Sequence, residues 1–168
     1  RVTTIPAISG GFGKPQRSKL SRAPRESIVE LTAVADVPAV LDGAGDVIVP
    51  GGSVHVTDTR GGARLQQVGT RTSPPDEVLV ATDGQLLAVS LESARIREIA
   101  SVPGTPAAPV VIGDCTYGVW AEGATGHFLR ACTGKPVPSA VDFKLSPAAE
   151  LTFRVNRNNV YLNDVKNG

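Results

Sequence analysis

With 168 residues, of which 41% are hydrophobic, the chain is long enough to bury a real core without metals or several disulfides to hold it. Its formal net charge of +1 gives no overall pull toward nucleic acid or an anionic membrane surface. No apolar run approaches the roughly 18–20 residues of a membrane helix, and nothing resembles the hydrophobic core of a signal peptide.

The even balance hides an asymmetry. Arg1, Lys14, Arg17, Lys19, Arg22 and Arg25 all fall within residues 1–25, which hold no acid, while the remainder has 11 basic against 16 acidic residues. This head is rich in Gly, Pro and Ser, so residues 1–25 are expected to be an extended linker or a segment laid over a neighbour, separate from a folded region over 26–168. A solvated tail is the simplest role for its charge, and contact with acidic wall polymers or a partner protein is the functional alternative. Gly10-Gly11-Phe12-Gly13-Lys14 has the composition of a phosphate loop but lacks its spacing and the following Ser or Thr. The chain begins at Arg1 and contains no methionine, and it is expected to be a piece of something longer.

The first strand is predicted over 27–34. Asp42-Gly43-Ala44-Gly45-Asp46 then places two carboxylates in a glycine turn. Calcium needs about six to eight oxygens, so the segment reads as a plain turn. Residues 46–49 turn at Pro50-Gly51-Gly52 into 53–57, followed by a short strand at 64–68. The clearest hairpin joins 77–82 to 85–90 through Asp83-Gly84, a pair favoured in type I′ turns, which need positive φ at both central positions. Folding about that turn sets Val80 opposite Leu87 and Val78 opposite Val89 on one face, with Ala81 opposite Leu86 and Leu79 opposite Ala88 on the other. Both faces are apolar, so both must be covered.

Further along, residues 109–112 turn at Gly113-Asp114 into 115–120 and then 127–132. If Trp120 pairs with His127, the same register sets Cys115 directly across from Cys132, at the roughly 4.5–5.5 Å Cα separation of opposed antiparallel residues, where a disulfide is available. Such a bridge implies an oxidising compartment. No CxxC suggests a zinc ribbon or a redox dithiol. Ser146 to Glu150 are expected to make at most one helical turn. Residues 151–155 and 160–164 form a last hairpin, with Asn156, Asn158, Asn159, Asn163 and Asp164 read as turn formers. Aligning Val47, Val78, Val110 and Leu151 gives spacings of 31, 32 and 41 residues.

A strand-rich repeat of about 30–45 residues is the signature of propeller blades. The predicted fold class is all-β, with repeated antiparallel propeller-like blades in an incomplete ring, because closed rings need about four to eight blades. The alternative is an Ig-like β-sandwich.

The segments PVVIGDCTYGVWAEGATGHFLRAC and LTFRVNRNNVYLNDVKNG make residues 37–168 resemble large actinobacterial surface proteins, the fibronectin type III or Ig-like domain-containing repeat proteins. In that family a membrane segment leads to a propeller-like region, and a series of Ig-like or fibronectin type III modules follows. The resemblance implies a surface-anchored, non-enzymatic architecture, and the two cysteines fit the family's blade pattern. It carries over no catalytic residue.

His55 and His127 each stand alone on a strand. Ser53, His55 and Asp58 lie too close together along one strand for a relay, and neither a GxSxG nor an HExxH occurs. Tyr117, Trp120 and His127 are weak candidates for stacking on a sugar or peptide, with blade core as the simpler reading. No catalytic residue, cofactor or metal site is therefore expected. The leading expectation is a non-catalytic extracellular or cell-surface scaffold that binds protein or cell-envelope glycan, with no nucleic acid partner and no membrane span in this segment. Two alternatives stand beside it: part of a propeller lyase or hydrolase whose site lies outside the segment, or an assembly subunit pairing through open strand edges.

Overall fold

The computed structural model describes residues 1–5, 7–8, 11–67, 76–135, 137–145, 151–156 and 159–164. Among these every regular element is a β-strand, every pairing is antiparallel, and none of the sheets closes into a barrel. The chain begins as a narrow arm, in which β1 (Val2–Thr4) pairs with β4 (Gln16–Ser18) around the shorter pair β2 (Ala7–Ile8) and β3 (Gly11–Phe12). A first four-stranded meander follows: β5 (Ile28–Val34), β6 (Val37–Asp42), β7 (Asp46–Val49) and β8 (Gly52–His55). The second comprises β9 (Ala63–Leu65), β10 (Glu77–Thr82), β11 (Gln85–Ser90) and β12 (Ile96–Ser101).

In the third sheet β13 (Thr105–Pro106) and β14 (Val110–Ile112) both pair with β15 (Cys115–Glu122), which continues through β16 (Thr125–Cys132) to β17 (Ser139–Lys144). A hairpin of β18 (Leu151–Asn156) and β19 (Asn159–Asp164) ends the chain. The helical turn expected at 146–150 lies outside the described residues, as does Asn158 of the last hairpin. Asn156 and Asn159 face each other as a strand pair, while Asn163 and Asp164 are strand residues rather than turn residues.

The three sheets stack face on face. Val78, Val80, Leu87 and Val89 of the second sheet pack against Val34, Leu41, Val47 and Val49 of the first. The opposite face of the same hairpin is also covered: Ala81 and Leu86 meet Trp120 and Leu129, and Leu79 and Ala88 meet Val111. All eight residues of that hairpin are at most 3% exposed, and their pairing follows the register expected from sequence. Burying both faces removes the most apolar surface per strand, and it requires a neighbouring sheet on each side. Polar contacts tie the layers together: Gly51 N–H donates to the Leu91 carbonyl at 2.9 Å, and Gln67 N–H to the Pro109 carbonyl at 3.0 Å. Leu65 N–H donates to Glu30 Oε2 at 2.6 Å. Burial pushes the Glu30 carboxyl up, against the lowering effects of that amide and of Arg64.

Two expectations are corrected. Neither Asp83 nor Gly84 has positive φ, so their turn is not type I′; the two-residue turn with positive φ at both centres is Ala35 (46°) and Asp36 (67°), between β5 and β6. The 31-residue spacing is also out of phase with the sheets, because Val47 sits on the third strand of its sheet and Val78 on the second. The second strands β6, β10 and β15 begin 40 and then 38 residues apart. The arm is more than a linker: Leu20 is buried on Val40 and Ile48, with Val2 packed beside it, on the face of the first sheet turned away from the second.

Candidate functional site

The densest cluster of ionisable groups lies where the arm crosses the first sheet. The β6–β7 turn needs Gly45, whose φ is +80° and whose missing side chain leaves room for the Thr57 carbonyl. The turn is closed by Asp42, whose Oδ1 accepts the N–H groups of Ala44 and Asp46 at 3.1 Å each, while its Oδ2 accepts Arg25 N–H at 2.9 Å. Burial alone would raise the Asp42 carboxyl. The three amides, together with the nearby Arg22 guanidinium, outweigh burial and hold it below the usual carboxylate range.

Asp46 is bracketed by cations. Arg22 Nη2 meets its Oδ2 at 2.5 Å, His55 Nδ1 its Oδ1 at 2.9 Å, and Arg25 Nη1 lies 3.8 Å from Oδ2. The arm is fastened at the same place by Ser21, whose N–H donates to the Val49 carbonyl at 3.1 Å and whose Oγ donates to the Gly52 carbonyl at 2.6 Å. The four carboxylate oxygens of these two aspartates are engaged by amides, a guanidinium and an imidazole, as befits a structural turn.

Ser53, His55 and Asp58 do not assemble as a relay. Ser53 Oγ accepts a hydrogen bond from Arg22 Nε at 2.9 Å, and His55 places its two ring nitrogens on two carboxylates, Asp46 and Asp58, each at 2.9 Å. Both ring nitrogens are thus engaged by carboxylates, and neither faces Ser53 Oγ to take a proton from it. The hydrogen bond to Asp46, followed by that to Asp58, raises the His55 pKa above its ordinary value. The groove beside the cluster, lined by Val29, Leu41, Asp42, Gly43, Thr57 and Thr59, has a cavity volume of about 10 Å³, room for about one water and far below the range of about 300–1,000 Å³ typical of small-molecule sites.

The third sheet repeats the arrangement. His127 Nδ1 meets Asp142 Oδ1 at 2.7 Å and Nε2 meets Glu122 Oε2 at 3.2 Å. The Asp142 hydrogen bond is the main cause of its raised pKa. The Asp142 contact follows from register, since His127 faces Asp142 across β16 and β17.

The stacking candidates are corrected. Trp120 is fully buried between the second and third sheets, and its Nε1 donates to the Thr82 carbonyl at 2.7 Å. It has no face left for a ligand. His127 lies directly across from Trp120, whereas Tyr117 alternates to the other face of β15, where its ring is 6.1 Å from that of Phe128 and Arg130 lies 5.9 Å above it. The three side chains therefore form no common platform.

Cys115 and Cys132 form the expected disulfide, with Cα atoms 4.0 Å apart across β15 and β16. Asp114 brings a carboxylate within 4.8 Å of both sulfurs, but bonded sulfurs provide no thiolate for a metal. No protein-family model, curated protein or solved structure matches this chain.

Proposed function

We propose that the chain is a non-catalytic extracellular or cell-surface module, an arc of propeller-like blades that serves as a scaffold and presents loops and edges to protein or glycan of the cell envelope. The observation that carries this reading is the β10–β11 hairpin at the centre of the second sheet, buried on both faces between the first and third sheets. Radially packed blades need that two-sided burial, whereas each sheet of a two-layer sandwich needs only one covered face. The cross-strand disulfide supports the oxidising compartment. The absence of catalysis is supported by the two histidines, each of which has both ring nitrogens engaged by carboxylates. On this reading the resemblance to actinobacterial surface repeat proteins describes the parent architecture.

The test is the intact mass of the natively purified protein after alkylation, with and without prior reduction. Two cysteines that react only after reduction support the reading, and two freely reactive thiols would remove its extracellular part.

Assembly through strand edges is a second reading. It is favoured by Ile28 and Leu31 on edge strand β5 and Val141 on edge strand β17, which are 50–57% exposed. A defined oligomer by light scattering supports it, and a monomer at high concentration counts against it.

A further inference from the structure

The six cations of residues 1–25 divide into two groups with different surroundings. Arg22 and Arg25 are engaged with Asp42 and Asp46. Arg1, Lys14, Arg17 and Lys19 are exposed, and among the described residues none of them meets a carboxylate.

Strand alternation explains the second group. Val2 and Ser18 are paired across β1 and β4, and Val2 and Leu20 pack onto the first sheet. With a side-chain period of two, Arg17 then points away from that sheet, and Lys19, just past the end of β4, is exposed beside it. Thr3 faces Arg17, and Arg1 and Lys19 each lie one residue beyond the Val2–Ser18 pair that ends the ladder. The arm is therefore amphipathic, with its apolar edge turned inward and a row of cations turned to solvent. Like charges on neighbouring strands repel, and no acid of residues 1–25 relieves them.

We propose that this outer face of the arm is a binding surface for a linear anionic glycan, with Arg17, Lys19, Lys14 and Arg1 pairing with successive sulfate, phosphate or carboxylate groups. Residues two apart on a strand are separated by about 6.6 Å, a spacing that suits a row of discrete charges along a polymer better than a single small anion. The glycan in place of a nucleic acid rests on the extracellular reading given above. The surface itself does not depend on it.

The experiment uses the full oxidised chain, with labelled dextran sulfate, neutral dextran of the same length and duplex DNA as probes, and fluorescence anisotropy as the readout. Dextran sulfate is expected to bind and neutral dextran not to. Engagement of three or four cations predicts a loss of affinity of roughly 20- to 50-fold between 50 and 200 mM salt, taking about 0.7 per neutralised charge from flexible polyanions. The double variant Arg17→Ala/Lys19→Ala is expected to bind about tenfold more weakly or worse. Lys135→Ala/Lys144→Ala, which removes two exposed cations elsewhere, should bind as the parent does. Unchanged melting temperatures and intact disulfides would show that both variants are folded. Equal losses in the two double variants, or none in the first, overturn the surface. Tighter binding of DNA than of dextran sulfate at equal charge concentration overturns the glycan. Freely alkylated thiols with the arm variant still defective would instead locate the failure in the compartment reading.

Discussion

Gly118 is where the packing between the second and third sheets can be tested most directly. It lies two residues before Trp120 on the same face of β15, and the indole folds back over it: a Cβ at position 118 would come within 2.5 Å of ring atoms Cη2 and Cζ3. Ordinary contact requires about 3.5–4.0 Å, so Gly118→Ala must displace the ring by about 1 Å. Trp120 is fully buried and its N–H is committed to the Thr82 carbonyl, so displacement both overpacks the interface, at about 1–3 kcal/mol, and loses a buried hydrogen bond, at about 1 kcal/mol. The expected loss is about 3 kcal/mol, a fall in melting temperature of roughly 6–12 °C for a domain of this size. Trp120 is the sole tryptophan, so its emission reports the same event, and a red shift in the folded variant is expected. Gly84→Ala is the control, since nothing lies within 4 Å of a Cβ there and its φ is not positive. A Gly118→Ala protein that melts within about 2 °C of the parent, with unshifted emission, would refute the packing described for Trp120.

Other perturbations test separate parts of the structure. Cys115→Ala/Cys132→Ala opens a loop spanning 17 residues of sequence separation; the chain-entropy relation gives about 3 kcal/mol of lost stability, measured by denaturant midpoints against the oxidised parent. His55 and His127 both have raised pKa values, so their contribution is full below the ordinary value of 6.5 and is lost as pH rises through the higher folded values. The melting temperature should therefore fall as pH climbs above 6.5, and His55→Gln/His127→Gln should flatten that slope. Ala35 has a φ of 46° with no glycine's freedom, and Ala35→Asn should raise stability by about 0.5–1 kcal/mol in thermal denaturation.

That Ala35-Asp36 turn also explains where reading the sequence loses the fold. The pairing of the hairpin 77–90 is legible to the residue because two continuous apolar runs flank a two-residue turn there. The β5–β6 hairpin also has apolar strands, but its left-handed turn opens on Ala35, a residue that seldom takes positive φ, and has Asp36 where glycine is the usual signal. Without that signal β6 has no mark in the sequence, the glycine-rich β7–β8 turn looks equivalent to the β10–β11 turn, and the apparent repeat is shortened. The outer strands β12 and β17 were missed for a related reason. They are largely exposed, with burial too shallow to impose alternation on their sequences.

The site was less legible than the fold, and His55 shows why. Its position beside Ser53 and Asp58 is visible in sequence, but its chemistry is set by Asp46, which reaches it across the β7–β8 pair. The second cause is the arm, whose Arg22 takes Ser53 Oγ and Asp46 Oδ2 from a distance of more than twenty residues. A basic head and an acidic turn are each readable alone, and only the packing of Leu20 onto Val40 and Ile48 brings them together. If that apolar contact fixes the arm and the ion pairs follow from it, Leu20→Ala should loosen the whole cluster. It should cost about 2–3 kcal/mol, toward the low end for a buried leucine because the site is at the surface of the stack. The pH dependence assigned to His55 should weaken with it. Arg22→Ala should leave the arm seated, with Asp46 still held by His55. Arm protection in hydrogen exchange would separate the two: protection lost in Arg22→Ala but kept in Leu20→Ala would mean that charge, and not apolar burial, holds the arm in place.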